Sequence, residues 1–242
     1  MATQPTGMTP IAELAKWLAG DVKGCPPEIV LQAAQEACGE FCKNTLLWRI
    51  EAEPIPVRTG VHTYATPAPA NCLPELITEA AFKAPNQSTY RPLDPITEAL
   101  LKAGAVGTPY HLGFFGHSAG TDWKGRTGTP RAFLHEFDPA FFRLVPIPTS
   151  VDNGGLVRVT VAVWPSIKAV EIPTFVYLRY EEALSSGTLA RLYGMNGEFW
   201  SNPALAEQQW GAFEGAMGAV TNKVQKSFTK ARLKVEPRER FA

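Results

Sequence analysis

The chain has no surplus of charge of either sign. Its 242 residues hold 23 Lys and Arg against 23 Asp and Glu, a formal net charge of zero. Proteins that grip nucleic acid through its phosphates usually carry a basic excess. Any contact with DNA must therefore come from a local patch or be loose passage. Low self-repulsion also permits copies to associate. Long apolar runs are missing: none approaches the ~20 residues that span a bilayer. The first nine residues are polar and lack the apolar centre of a signal peptide, so a soluble chain without a leader or a membrane partner is expected. The sequence has no Gly-x-x-x-x-Gly-Lys-Ser/Thr loop, no Gly-x-Gly-x-x-Gly and no His-Glu-x-x-His. Nor has it a Cys-x-x-Cys pair. Of Cys25, Cys38, Cys42 and Cys72, only Cys38 and Cys42 lie one helical turn apart, and all four histidines lie elsewhere. A zinc site would need a second pair. The cysteines are expected as small buried hydrophobes in a reduced, cytosolic setting, with no metal and no cofactor.

What is present is the composition of an ordinary globular chain, 45% hydrophobic and 19% charged. Its length allows a sizeable core without metals or disulfides. The two ends read as helix and the middle as strand and loop. Residues 10–19 form one helix, with Thr9 as N-cap, Pro10 at the first position and Ile11, Leu14 and Leu18 in one stripe. A second helix starts at Pro26 and Pro27 and runs to about residue 45, with Val30, Ala34, Ala37, Phe41 and Cys42 at three- and four-residue steps. From Trp48 prolines crowd in, with short β-prone pieces at 61–66, 76–82, 131–137 and 141–146. The clearest strand is 156–164, where Val157, Val159, Val161 and Val163 alternate with Arg158, Thr160 and Ala162. Asp152-Asn153-Gly154-Gly155 before it is turn chemistry, so 141–146 and 156–164 are expected to pair as a hairpin with a long loop. Helix returns near Pro173, with Phe175, Leu178 and Glu182 on one face, and is interrupted by Ser185-Ser186-Gly187. A last helix, capped by Asn202 with Pro203 at its first position, buries Trp210, Phe213, Met217, Val220, Val224 and Phe228 over ~30 residues, or ~45 Å. Helices average ~11–12 residues, so one that long needs cover from several others or from neighbouring subunits. Lys223, Lys226 and Lys230 are read as a solvated face of that helix and not as a rail for DNA.

The expected fold class is α+β. Residues 1–47 and 172–234 form a helical bundle, 48–171 a β-rich inserted domain, and 235–242 an extended arm.

One motif points to chemistry. Gly116-His117-Ser118-Ala119-Gly120 matches the Gly-x-Ser-x-Gly elbow, in which the serine sits between a strand and a helix. Residues 110–115 fit the strand weakly. Residues 121–130, with two glycines and a proline, cannot form the helix. The triad partners fail as well. His135 is the one histidine after Ser118, and Asp122 the one acid between them, so all three would come from a single short region. A serine hydrolase using Ser118 therefore stands as the alternative, and a Gly-rich loop as the preferred reading. Glu181 and Glu182 are adjacent and would face different directions on a helix, as a solvated pair does.

Several separated blocks carry a resemblance. They are Gly24-Cys25-Pro26 with the helix after it to Trp48-Arg49; Asp122-Trp123, Gly128-Thr129-Pro130 and Leu144-Val145-Pro146-Ile147-Pro148; and the run from Val157 through Trp164-Pro165-Ser166, Ile172-Pro173, Tyr180-Glu181-Glu182-Ala183-Leu184, Gly187-Thr188-Leu189-Ala190-Arg191-Leu192 and Trp200-Ser201-Asn202-Pro203. In this order, over residues 10–230, they resemble the head-to-tail adaptor (neck, or tail tubular protein A-like) family of short-tailed bacteriophages. The resemblance implies a helical bundle with a β-rich insertion and no catalytic residues. It implies a homo-oligomeric ring of about 12 copies that joins the portal protein to the tail nozzle, with tail fibres as further partners, and extends a channel through which double-stranded DNA passes. It places the protein in the neck of the virion, and in the host cytoplasm during assembly. The arm, with Val235, Pro237, Arg238, Arg240 and Phe241, is read as the segment that docks on the portal and orders there. A different ring protein of a phage tail or neck is the remaining alternative. A nozzle should be longer and mostly β, and a tail terminator should lack the helices.

Overall fold

The computed structural model describes residues 7–96, 125–135 and 138–228, with backbone alone over 225–228. A proline stands at the start of each of the four helices among them, where its fixed φ helps and its missing N–H costs nothing. In α1 (Ile11–Leu18), Pro10 is the cap residue and not the first helical one. Thr9, expected to cap α1, lies instead in β1 (Met8–Pro10) and donates its hydroxyl to Thr174 Oγ1 at 3.0 Å. The antiparallel ribbon of β1 with β11 (Glu171–Pro173) holds it there. α2 (Pro27–Thr45) has proline at its first position, as expected. α3 (Thr174–Tyr193) follows Pro173 directly. α4 (Pro203–Phe228) has the expected cap, with the Leu205 N–H donating to Asn202 Oδ1 at 3.2 Å.

α3 departs from expectation in the middle. It runs unbroken through Ser185-Ser186-Gly187 and loses helical geometry earlier, at Tyr180 (φ −128°, ψ 23°). The small residues serve a close crossing. A Cβ on Gly187 would meet the Phe213 ring at 2.7 Å. The Thr188 hydroxyl donates to the Leu184 carbonyl at 2.7 Å. The buried stripe runs through Val176, Ala183, Leu184, Gly187 and Thr188, and Leu178, expected on the packed face, lies about 200° round the helix from Val176 and is exposed.

The remaining strands are β2 (Arg49–Glu51), β3 (Ile55–Pro56), β4 (Thr63–Ala65), β5 (Cys72–Lys83), β6 (Arg91–Pro92), β7 (Asp94–Ile96), β8 (Ala132–His135), β9 (Phe141–Val145) and β10 (Leu156–Pro165). β10 keeps its period of two: Val157, Val159, Val161 and Val163 are buried, and Arg158 and Thr160 are half-buried on the other face. It pairs antiparallel with β5 along its whole length, and with β2 and β3 on its other edge; β6 extends the sheet beyond β5. A second sheet runs β4-β9-β8-β7, with β7 parallel to β8.

The expected hairpin between β9 and β10 is not formed. β9 has both edges taken by β4 and β8, and β10 has both taken by β5 and by β2 with β3. The connection between them spends its backbone groups elsewhere. The Gly60 N–H donates to the Pro148 carbonyl and the Val57 N–H to the Gly155 carbonyl. Thr149 and Asp152 close a capping box, with the Thr149 hydroxyl donating to Asp152 Oδ2 at 2.8 Å.

α2 lies on β10, and Gly39 allows the approach: a Cβ there would sit 3.2 Å from the Pro165 carbonyl oxygen. α1 packs on α2 and α3, and α4 packs along α3 and on α2. Leu14, Leu18, Phe41, Leu184, Leu192 and Phe213 meet in one core with the valines of β10 and with Phe142 and Leu144 of β9. The opposite pleat of the second sheet holds a smaller cluster of Ile96, Ala132, Leu134 and Val145.

Candidate functional site

The residues on which sequence reasoning placed function fall mostly outside the described ones. That holds for the arm residues Val235, Pro237, Arg238, Arg240 and Phe241, for Lys230, and for Ser118 with His117 and Asp122. His135, the third member of the hydrolase alternative, closes β8 and is half-buried. Lys223 is exposed on α4. Glu182 is exposed, whereas Glu181 is half-buried and accepts a hydrogen bond from the Tyr177 hydroxyl at 3.4 Å. Tyr177 is raised above its usual pKa by burial, with the charge and hydrogen bond of Glu181 adding to it.

The densest polar constellation is Arg191, near the end of α3. Its guanidinium pairs with Glu40 of α2 and lies 3.7 Å from Glu36 one turn earlier. Nη1 donates to the Gly187 carbonyl at 2.6 Å. The flat of the group lies 5.4 Å from the Trp210 ring centroid and 5.7 Å from that of Phe213, both on α4. With 15% of its side chain exposed, the charge is mostly withdrawn from water but fully partnered. One residue thus ties α2, α3 and α4. The arrangement holds helices together, with Glu40 about one-third and Glu36 about two-fifths exposed at its edge.

Cys25 lies half-buried in the turn before α2, and the other three cysteines lie where α2 meets the sheet. Cys38 and Cys42 are buried and Cys72, the first residue of β5, is half-buried. Burial pushes the Cys38 thiol up to about 12, the Cys72 thiol up to about 11 and the Cys42 thiol well above its ordinary value. Such thiols are poor nucleophiles near neutral pH. Among the described residues no group of three or more His, Cys, Asp or Glu could hold a metal, and no helix is long and apolar enough to cross a membrane.

The longest helix among the described residues is α4, with 26 residues. Phe213, Met217, Val220 and Val224 are buried along one stripe, as their spacing predicts, and the opposite face is exposed over the described side chains. No protein-family model matches the chain, and a search of curated proteins finds no match.

Sequence reasoning noticed the block Gly187-Thr188-Leu189-Ala190-Arg191-Leu192 but assigned no task to its members. The signal was there in part: Arg191 lies four residues after Gly187, one helical turn. Its acidic partners are on another helix, and nothing in the local sequence selects Glu40.

Proposed function

We propose that this chain is a structural subunit of a head-to-tail adaptor ring, and not an enzyme. The ring joins a portal protein to a tail nozzle and extends the channel for double-stranded DNA. In this reading the helices form a bundle that packs side by side around the ring, and residues 48–171 form the β-rich insertion. The observation that carries it is the order of the elements. Helices from residues 11–45 pack on helices from residues 174–228, and nearly all strands lie between them in sequence. That is the order the resemblance to adaptors implies. The zero net charge suits a channel that lets DNA pass without holding it.

The test is the mass of the purified protein, alone and after mixing with portal rings, by native mass spectrometry. A ring of about 12 copies seated on the portal supports the reading. A small oligomer that ignores every portal sinks it. Deleting residues 235–242 should abolish docking while thermal unfolding stays unchanged; undiminished docking refutes the role of the arm. Labelling of Ser118 by a fluorophosphonate would return the hydrolase alternative.

A further inference from the structure

We propose that Asn196 is a site of spontaneous deamidation in the folded chain, that the fold shields the other Asn-Gly pair from the same reaction, and that the change at Asn196 loosens the start of α4. The inference is independent of the ring reading.

Asparagine is among the chemically labile residues, and its deamidation needs no enzyme. The backbone nitrogen of the following residue attacks Cγ, the side-chain carbonyl carbon. The new C–N bond closes a five-membered succinimide. The bond from Cγ to Nδ2 breaks, and the side-chain nitrogen leaves as ammonia with the proton that the backbone nitrogen gave up. Water then adds to one of the two ring carbonyls and opens the ring, leaving aspartate or isoaspartate. Nothing is oxidised or reduced. Glycine obstructs the approach least, because it has no Cβ. The sequence has two such pairs, Asn153-Gly154 and Asn196-Gly197.

The structure matches the two pairs in most respects. Both asparagines and both glycines are exposed. Both glycines have a left-handed φ, +83° at Gly154 and +87° at Gly197. A Cβ on either would meet nothing within 4 Å among the described residues. Hydrogen bonding separates them. At the first pair both reacting groups are held. Asn153 Oδ1 accepts from the Thr59 N–H at 3.3 Å, and the Gly154 N–H, on the attacking nitrogen, donates to the Val57 carbonyl at 3.0 Å. The backbone on either side is tied as well: the Asn153 N–H donates to the Ser150 carbonyl and the Gly155 N–H to that of Asp152. Ring closure there must first release the bonds to Thr59 and Val57. The second pair lies in the turn between α3 and α4. That turn is anchored on both sides, with the Met195 N–H donating to the Leu192 carbonyl at 3.3 Å and the Ser201 N–H to that of Glu198 at 3.0 Å. Between these anchors no hydrogen bond among the described residues holds the Asn196 amide or the Gly197 N–H.

The product falls where the chain is least able to lengthen. The Tyr193 carbonyl, at the end of α3, accepts from the Ser201 hydroxyl at 3.3 Å and from the Asn202 N–H at 2.9 Å, and Asn202 caps α4. Asn196 lies between these partners in sequence. Isoaspartate at this position adds one methylene to the backbone of the closed loop, so both bonds to Tyr193 must shift.

The test ages the full folded chain in mildly alkaline buffer, which favours loss of the backbone proton, and maps both pairs by proteolysis and mass spectrometry. Product at Asn196 should accumulate at least about ten-fold faster than at Asn153, where two hydrogen bonds must open first. In urea, where those bonds are gone, the two rates should converge. Equal rates in the folded chain would overturn the proposal, and so would an Asn196 that stays intact until the chain unfolds. A gap of the same size in urea would trace the difference to neighbouring sequence and overturn the shielding by the fold. The isoaspartate fraction, separated by chromatography, should unfold at a lower urea midpoint than fresh chain; an equal midpoint overturns the effect on α4.

Discussion

Four glycines in two adjacent helices should respond to the same substitution with opposite signs. Gly187 sits in α3 under the Phe213 ring, where an added Cβ would lie 2.7 Å from two ring carbons. Phe213 is fully buried, with its centroid 6.2 Å from that of Phe41 and 5.8 Å from that of Trp210, so it has no room to retreat. Overpacking of this kind costs ~1–3 kcal/mol. Replacing a helical glycine by alanine returns at most about 1 kcal/mol. Gly187→Ala should therefore destabilise the fold by up to a net ~2 kcal/mol. A Cβ at Gly211, Gly215 or Gly218 meets nothing within 4 Å among the described residues, so only the second effect operates there. Each alanine should stabilise the monomer by ~0.8–1 kcal/mol, and the triple variant by ~2–3 kcal/mol if the sites act independently. Urea unfolding, run at a concentration where the chain is monomeric, reads both effects as midpoint shifts at constant slope. A stabilising Gly187→Ala would mean that α3 and α4 do not cross as closely as described. A triple variant no more stable than wild type would mean that the outer face of α4 already has an occupant within the chain.

The other predictions concern the clamp, the cap and the thiols. Arg191→Leu leaves Glu40 and Glu36 without their cation and removes the contact over Trp210, and should cost ~2–4 kcal/mol in chemical denaturation. Arg191→Lys, which keeps the charge and loses the planar fork, should recover less than half of that loss; full recovery would reduce the clamp to simple charge pairing. Asn202→Ala removes the side-chain acceptor at the start of α4 and should lower stability by ~1 kcal/mol, while Asn202→Ser should be nearly neutral; equal losses for both would show that the cap is not the cause. Burial holds the Cys38 and Cys72 thiols up to about 12 and about 11, against an ordinary 9.0. Above about pH 9 the unfolded chain releases protons that the folded chain retains, so stability is fully present below that pH and falls as pH rises toward the folded values. Urea midpoints should drop between about pH 8 and about pH 10, and Cys72→Ala should lessen the drop; a flat profile would contradict the burial of these thiols.

What could be read in advance was local. Proline at helix starts, Asn202 as a cap, the alternation of the β10 valines and the stripe of α4 are all set by neighbours within a turn or two; each is found near where its pattern places it, with Pro10 one position early as a cap residue, Trp210 only half-buried, and the Phe228 side chain outside the described ones. Long-range choices were not legible. A strand pattern says which side chains face inward but not which edge is taken, so β9 and β10 looked like partners although each already has two others. The turn residues between them, Asp152 to Gly155, do form a turn, but one that returns the chain to Val57 and not to β9.

Small residues were the deepest ambiguity, because the same letters serve opposite ends. Ser185-Ser186-Gly187 reads as a break when only its own propensities are weighed, yet the helix continues because a ring on α4 needs the space. Gly211, Gly215 and Gly218 pose the same question, with no filling group within 4 Å among the described residues. If helix stability alone had shaped α4, alanine would stand at all three positions, since nothing among the described residues opposes it. Gly187 is thus explained by the ring it admits, while propensity within α4 leaves the other three without an explanation among the described residues.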